Sequence, residues 1–422
     1  MMGKALLRAL FALTGAIAAF GGNLPSQPVM IAGTGDPNID IPAVQAAVDQ
    51  GGQVMLSGHF SFDSSPAKPD GAIYNRMVTV SKPIEILGVL DANGDMPTIQ
   101  AGNWPFFIDA ASDRVAIRAL HFVRPKAGAI WVYAVGGLTI ANCRIENVEP
   151  TVEFGMQAGV SGALSGGIGV FADPHPPGNA NPGKPENFSG TLAILNNDID
   201  MGATPGPLSL AITIFSVGVS PDHEVDIYVS GNNIRNVTEP AINLRVVGGR
   251  AHIERNVIVT GAMMGSSANP DAIRIVGPGS YLVAHNTIDC GWTDGAATGI
   301  NVIGQAPPRS AANAVILDND INMSAPNGTM FALNSAGIEI RGYAQGTSVL
   351  NNRMKGRARA ALSVLQNVGT PGSNAFISND VSGFKSSIAD VFVDVGATNT
   401  VVIGTQTGVE DHGSGTTVIS VR

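Results

Sequence analysis

Ile253-Glu-Arg-Asn-Val-Ile258, Val283-Ala-His-Asn-Thr-Ile288 and Ile316-Leu-Asp-Asn-Asp-Ile321 are one phrase written three times. The phrase recurs on both sides, as Ile194-Leu-Asn-Asn-Asp-Ile199, Val229-Ser-Gly-Asn-Asn-Ile234, Val349-Leu-Asn-Asn-Arg-Met354 and Ile377-Ser-Asn-Asp-Val381. Aligned, they place Asn197, Asn232, Asn256, Asn286, Asn319, Asn352 and Asn379 in one column, about 24 to 35 residues apart. Cys143, in Ile140-Ala-Asn-Cys-Arg-Ile145, holds the same place one turn earlier. Asparagine tolerates left-handed backbone geometry and can turn a tight corner; stacked on copies of itself, it can also form an amide ladder.

A short apolar-alternating strand precedes each corner and another follows it. After a variable stretch comes a third: Ile130-Trp-Val132, Ile168-Gly-Val170, Ile212-Thr-Ile214, Ile242-Asn-Leu244, Ile273-Arg-Ile275, Ile300-Asn-Val302, Ile338-Glu-Ile340 and Leu362-Ser-Val364. Three strands per repeat of this length describe an all-β, right-handed parallel β-helix. Crossover helices for a doubly wound sheet are missing from the pattern, as are the hairpins of a propeller. An open solenoid needs caps. Ile41-Pro-Ala-Val-Gln-Ala-Ala-Val-Asp-Gln50, stopped by Gly51-Gly52, reads as a capping helix, and 400–421 as closing strands.

The phrase Val44-Gln-Ala-Ala-Val48 before Gly51-Gly-Gln-Val54, the asparagine column and the third strands ending in glycine resemble the pectate-lyase-like (pectin lyase-like) superfamily over roughly residues 40 to 405. The resemblance implies the fold and a cleft beside the third strands. It implies no single activity, since that fold hosts lyases, hydrolases, epimerases, esterases and inert adhesins.

Residues 1–22 carry Lys4 and Arg8 ahead of the apolar run Leu10–Phe20, and read as a secretory signal. A secreted or periplasmic protein is expected, with 23–52 as N-terminal segment and cap and 53–422 as one β-helix domain. Later apolar runs are too short to span a membrane. Loss of the signal takes the formal charge from −9 to −11, which argues against nucleic acid as partner. At 44% hydrophobic and 14% charged residues the chain is a folded protein, not a disordered one.

Alternation turns every second residue of the third strand outward. One outward column runs Trp131, Gly169, Thr213, Asn243, Arg274, Asn301, Glu339, Ser363; its neighbour runs Tyr133, Phe171, Phe215, Arg245, Val276, Ile303, Arg341, Leu365. Loops at about 147–167, 200–211, 260–271, 289–298 and 322–336 would wall this face. Trp131, Tyr133, Phe171 and Phe215 suit stacking on sugar rings, and Asn243 and Asn301 suit their hydroxyls. Arg245, Arg274 and Arg341 suit carboxylates. The expected partner is an acidic polysaccharide or oligosaccharide.

Three chemistries fit, and the first, a lyase or epimerase on an acidic glycan, is the leading expectation with the other two as alternatives. A uronate lyase or epimerase would neutralise the carboxylate with Arg245, Arg274 and Arg341, with an arginine, Tyr281 or Tyr343 taking the proton. A glycoside hydrolase needs two carboxyls, for which Glu239 and Asp271, before the third strand on neighbouring turns, are placed. Asn269-Pro-Asp271 only loosely resembles the polygalacturonase motif, and Thr298-Gly299 stands where that family has paired aspartates. The third possibility is a non-catalytic glycan-binding or adhesin-like module. A purely structural face also fits, with Arg274 reaching Glu339 as a solvated surface pair and Trp131 and Phe171 packed under the loop that begins at Asp173.

No cofactor is expected. His59, His121, His175, His223, His252, His285 and His412 show no zinc spacing, and His252 and His285 read as face and corner residues. Calcium could at most sit at the acidic turn Asp222-His-Glu224-Val-Asp226, which reads better as an exposed turn. Cys143 and Cys290 are four turns apart, roughly 19 Å, beyond the ~7 Å a disulfide can bridge. Non-reducing mass mapping should therefore recover two free thiols, and a Cys143–Cys290 bridge would contradict the register.

Overall fold

The computed structural model describes residues 27–420 apart from 64–76, 153–162, 172–186, 204–207, 218–223, 247–248, 261–270, 292–296, 307–312, 326, 328, 367–368 and 406–407. Isoleucine, valine and leucine at every second position favour extended backbone and a buried inner face. Stacked turn on turn, they give a parallel β-helix with three strands per turn. Val225–Ser230, Arg250–Glu254, Ser280–Ala284 and Asn313–Leu317 pair in parallel as successive rungs of the first sheet. Asn233–Val237, Val257–Thr260, Thr287–Cys290 and Asp320–Ser324 do so in the second. Ile242–Val246, Asp271–Val276, Thr298–Gly304 and Ala336–Gly342 do so in the third. The interior is filled by columns of like residues, such as Ile212, Ile242, Ile273, Ile300 and Ile338, all fully buried.

The ladder forms as expected, but the asparagines do not turn the corner. Asn256 Nδ2 donates to Asn286 Oδ1 at 2.9 Å and to the Val229 carbonyl at 2.9 Å, and its backbone N–H donates to the same Asn286 Oδ1 at 3.0 Å. This unit repeats from Asn197 through Asn352, and Asn379 Nδ2 closes the series on the Val349 carbonyl. Cys143 starts it by donating its backbone N–H to Asn197 Oδ1 at 3.0 Å.

The left-handed residue is the one before each ladder position: Asn142, Asn196, Gly231, Arg255, His285, Asp318, Asn351 and Ser378, with φ between 52° and 69°. A ladder amide must face inward to reach its copies, so the bend falls one residue earlier. Arginine and serine accept that strained conformation because the buried hydrogen bonds beside it outweigh a cost of ~1–3 kcal/mol.

The capping helix spans Pro37–Val48, beginning earlier than the apolar pattern suggested and ending before Gln50. Asp36 is its N-cap, accepting from the Asn38 N–H at 2.9 Å, and Pro37 supplies a preset first turn. Asp40, buried, accepts from the Thr34 and Ser61 N–H groups, both at 2.8 Å. It thereby ties the helix to the first two strands. Val44, Ala47 and Val48 close the end of the core.

Cys143 and Cys290 are free and buried. Burial pushes the Cys143 thiol up to about 12 and the Cys290 thiol up as well. The segment read as a signal lies outside the described residues. Among the described residues no helix is long and apolar enough to cross a membrane.

Asn256→Ala would strand the Asn232 N–H and one of its two amide protons, and take one donor each from the Val229 carbonyl and Asn286 Oδ1. At about 1–3 kcal/mol per orphaned buried group, a loss of about 3 kcal/mol or more is expected in urea unfolding. A loss below 1 kcal/mol would mean that the ladder is ornamental.

Candidate functional site

The ladder register fixes the third sheet, and the first outward column stacks as read: Trp131, Gly169, Thr213, Asn243, Arg274, Asn301, Glu339 and Ser363 are successive partners. In the neighbouring column Phe215, Arg245, Val276, Ile303, Arg341 and Leu365 follow in turn.

What differs is the environment. Glu339, Asp271 and Asn301 are fully buried and Asn243 nearly so, which rules out a solvated ladder. Arg274 does not pair with Glu339 on the surface. Its Nε donates to Asp271 Oδ2 at 2.6 Å, and its Nη1 lies 4.0 Å from Glu239 Oε2. Asn301 Nδ2 donates to the same Asp271 oxygen at 3.1 Å. Arg341 Nη1 lies 3.4 Å from Glu339 Oε1. The guanidinium side chains of Arg274 and Arg341 retain 18% and 13% of their exposure, so they lie between the two carboxylates and solvent.

Burial sets the protonation. The Glu339 carboxyl is pushed up to about 8, chiefly by loss of solvent; Arg341 opposes this and the negative charge of Asp271 adds to it. Arg245 is pushed down to about 10 by burial and by the neighbouring charge of Arg274. For Arg274 burial also works against the charge, but Asp271, Glu239 and Glu339 outweigh it and its pKa is raised.

The face also concentrates buried polar atoms without hydrogen-bond partners. They include both Glu339 carboxyl oxygens, Asp271 Oδ1, Asn243 Oδ1, Asn301 Oδ1, Thr213 Oγ1, Arg245 Nε and Arg341 Nε. Buried polar atoms are ordinarily satisfied, so such a concentration marks a place built for something other than stability.

The aromatic end behaves otherwise than expected. Trp131, Phe171 and Phe215 are buried and form a second small core with Trp104, Phe107 and Leu164. Trp131 meets Phe107 edge-on at 4.7 Å and Phe171 at 5.5 Å, and its Nε1 donates to the Phe171 carbonyl at 3.0 Å. Leu208 and Leu210 pack against this cluster, so these three rings stabilise one another. Tyr133 is half-buried at the edge of the cluster, 5.9 Å from Phe107.

Tyr281 is also removed as a candidate base: it belongs to the main core, with its hydroxyl on the Val276 carbonyl at 3.2 Å. Tyr343 is half-buried beyond the end of the strand Ala336–Gly342. His285 is a corner residue, and His252 stacks on Tyr228 at 5.0 Å on the first sheet. Asp222 and the loop starting at Asp173 lie outside the described residues, as do 261–270 and parts of the other loops expected to wall the face, whereas 322–336 is described but for 326 and 328. Asp226 pairs with Arg250 at 2.9 Å. Among the described residues no three metal-ligating side chains converge.

No protein-family model and no curated protein matches the chain. Among solved structures, a tailspike protein variant of E. coli bacteriophage HK620 in complex with pentasaccharide is 11% identical. It aligns over 92% of this chain and 76% of its own, with a TM-score of 0.48. The mannuronan C-5 epimerase AlgE6 A-module of Azotobacter vinelandii is 12% identical, over 90% and 96%, with a TM-score of 0.34. The parallel fold of this chain rests on its own register and ladder.

The raised Glu339 carboxyl has a stability consequence. Between the ordinary value of 4.5 and about 8, the unfolded chain releases this proton while the folded chain keeps it, so this group makes stability fall as pH rises across that window. Glu339→Gln removes that dependence. Its melting temperature relative to the parent should therefore climb from pH 5 to pH 8; a difference flat in pH would show that Glu339 titrates normally.

Proposed function

We propose that this chain is a secreted or periplasmic polysaccharide-active protein that cleaves glycosidic bonds hydrolytically at the third-sheet face. Glu339 is the general acid and Asp271 the base that activates water. One observation carries this reading: two buried carboxyls share a face, and the environment of one keeps it protonated at neutral pH. Glycoside hydrolysis needs a proton donor for the leaving oxygen and a second carboxylate beside the sugar ring.

Glu239 is less suited to the second role than Asp271, because it belongs to the rim that holds Arg274 from outside. Asp271 is oriented by Asn301, which stacks directly under Glu339. A substrate meets the partly exposed guanidinium groups first, and its hydroxyls can take over their hydrogen bonds as it reaches the carboxyls beneath. Tailspike complexes with pentasaccharide agree with a glycan as ligand for a fold of this kind.

An acidic-glycan lyase or epimerase is the second reading, favoured by Arg245. It is weakened because Arg274 and Arg341 already face protein carboxylates.

The test is a panel of neutral and uronate-containing glycans, followed both for released reducing ends and for absorbance of an unsaturated product. Reducing ends without that absorbance are expected, with turnover falling as pH rises through about 8. Glu339→Gln should lower kcat by about 10²-fold or more with binding retained. Unsaturated product would replace hydrolysis by elimination, and binding without turnover would make the protein a glycan-binding module. Asp271 is level with Ala336, so the two carboxyls arise two rungs and three residues apart, about 14 Å of backbone, closer to the wide spacing of inverting enzymes than to that of retaining ones. NMR of the fresh product should accordingly show inverted anomeric configuration.

A further inference from the structure

We infer that Arg245 is an anion subsite, on the strand one rung N-terminal to that bearing Asp271, that selects glycans carrying an acidic group within a sugar or two of the cleaved bond. The inference rests on the glycan-cleaving reading above and adds the class of substrate.

Three cations occupy the face, and two of them have acids of their own. Arg274 holds Asp271 at 2.6 Å and Glu239 at 4.0 Å, while Arg341 faces Glu339 at 3.4 Å. Arg245 has no carboxylate within ion-pair distance among the described residues, and its Nε is buried without an acceptor. Its nearest charged influence is another cation, Arg274, one rung on. A half-buried cation with no counter-ion among the described residues is costly, and a protein selected for stability alone would lose it.

The surroundings also orient the group. Arg245 stacks in register on Phe215, its guanidinium carbon 5.5 Å from the ring centre, and Val276 follows it on the next rung. A guanidinium held against an aromatic ring keeps its in-plane donors for a ligand, and those donors match the two oxygens of a planar or tetrahedral oxyanion. Asn243, two residues earlier on the same strand, has an unpartnered Oδ1 that can accept from a neighbouring sugar hydroxyl. Carboxylate and sulfate esters share this chemistry.

Geometry sets the subsite's place. Arg245 lies one rung from the strand bearing Asp271 but level with Val276, five residues further along it, and three rungs from Glu339 with an offset of two residues; both backbone separations are about 16 Å, one to two sugars once the side chains reach toward one another. A charge held there lies beside the scissile linkage, not upon it. Recognition and bond cleavage are therefore separable, and they fail independently under mutation.

The experiment compares the parent protein with Arg245→Met and Arg245→Lys. Without ligand, Arg245→Met should melt at or above the parent temperature, because it removes a half-buried charge that has no counter-ion among the described residues. A structural arginine would instead lower it. Glucuronate, glucose 6-sulfate and glucose are then titrated calorimetrically into Glu339→Gln protein with and without Arg245→Met. Binding of one or both anionic sugars, with glucose silent and with the affinity lost at least tenfold in the double variant, supports the subsite; which anion binds tells carboxylate from sulfate. In turnover, the ratio of acidic to neutral glycan cleaved should fall at least tenfold in Arg245→Met, with Arg245→Lys between the two.

Equal binding of glucose and the anions, or an unchanged ratio with a lowered melting temperature, overturns it. If Glu339→Gln leaves cleavage intact while the anions still bind through Arg245, the hydrolytic assignment fails and the subsite stands.

Discussion

The amide ladder from Asn197 to Asn379 is the constraint on which the turns that carry the third-sheet face depend. Each rung hands one side-chain oxygen two donors from the turn before, so no turn can slip without breaking several buried hydrogen bonds at once. A slip of one residue would also exchange the inner and outer faces of all three sheets. Loops of different length enter between the rungs without disturbing this, because the ladder resets the register at every corner.

That rigidity lets the third sheet hold an arrangement that is poor for stability. Charged and amide side chains lie buried in a line, several with atoms that find no partner. Had the face evolved only to close the solenoid, the simpler solution is visible at its own N-terminal end, where Trp131, Phe171 and Phe215 pack with Trp104 and Phe107. The change from aromatic core to charged network occurs between Phe215 and Arg245, one rung apart. A binding groove that begins at this step would have a dry, preformed wall and a polar floor, the usual composition of a ligand site.

The fold was legible because the asparagine spacing and the period-2 strands carry it redundantly. Both outward columns were readable for the same reason: alternation is a local rule. Three matters were not. The bend fell one residue before each ladder asparagine, on Arg255 and Ser378 as well as on Asn196 and Asn351, since ladder geometry outranked conformational preference. The capping helix began at Pro37, where Asp36 caps it, ahead of the apolar residues that drew attention to it. Burial of Trp131, Asp271 and Glu339 depends on what covers an outward face, which no alternation pattern encodes. With burial unknown, the partner of Arg274 and the protonation of Glu339 were also out of reach.

The central claim is that the ladder's register delivers a buried, protonated carboxyl onto the same face as a second buried carboxyl. Carbon-13 NMR of the glutamate side-chain carboxyls, titrated from pH 4 to 10 with Glu339→Gln to assign the resonance, tests it directly. A Glu339 midpoint near 8, well apart from the other glutamates, is the result this account predicts. A midpoint in the ordinary carboxylate range would mean that the face is solvated, and the acid–base assignment would fall with it.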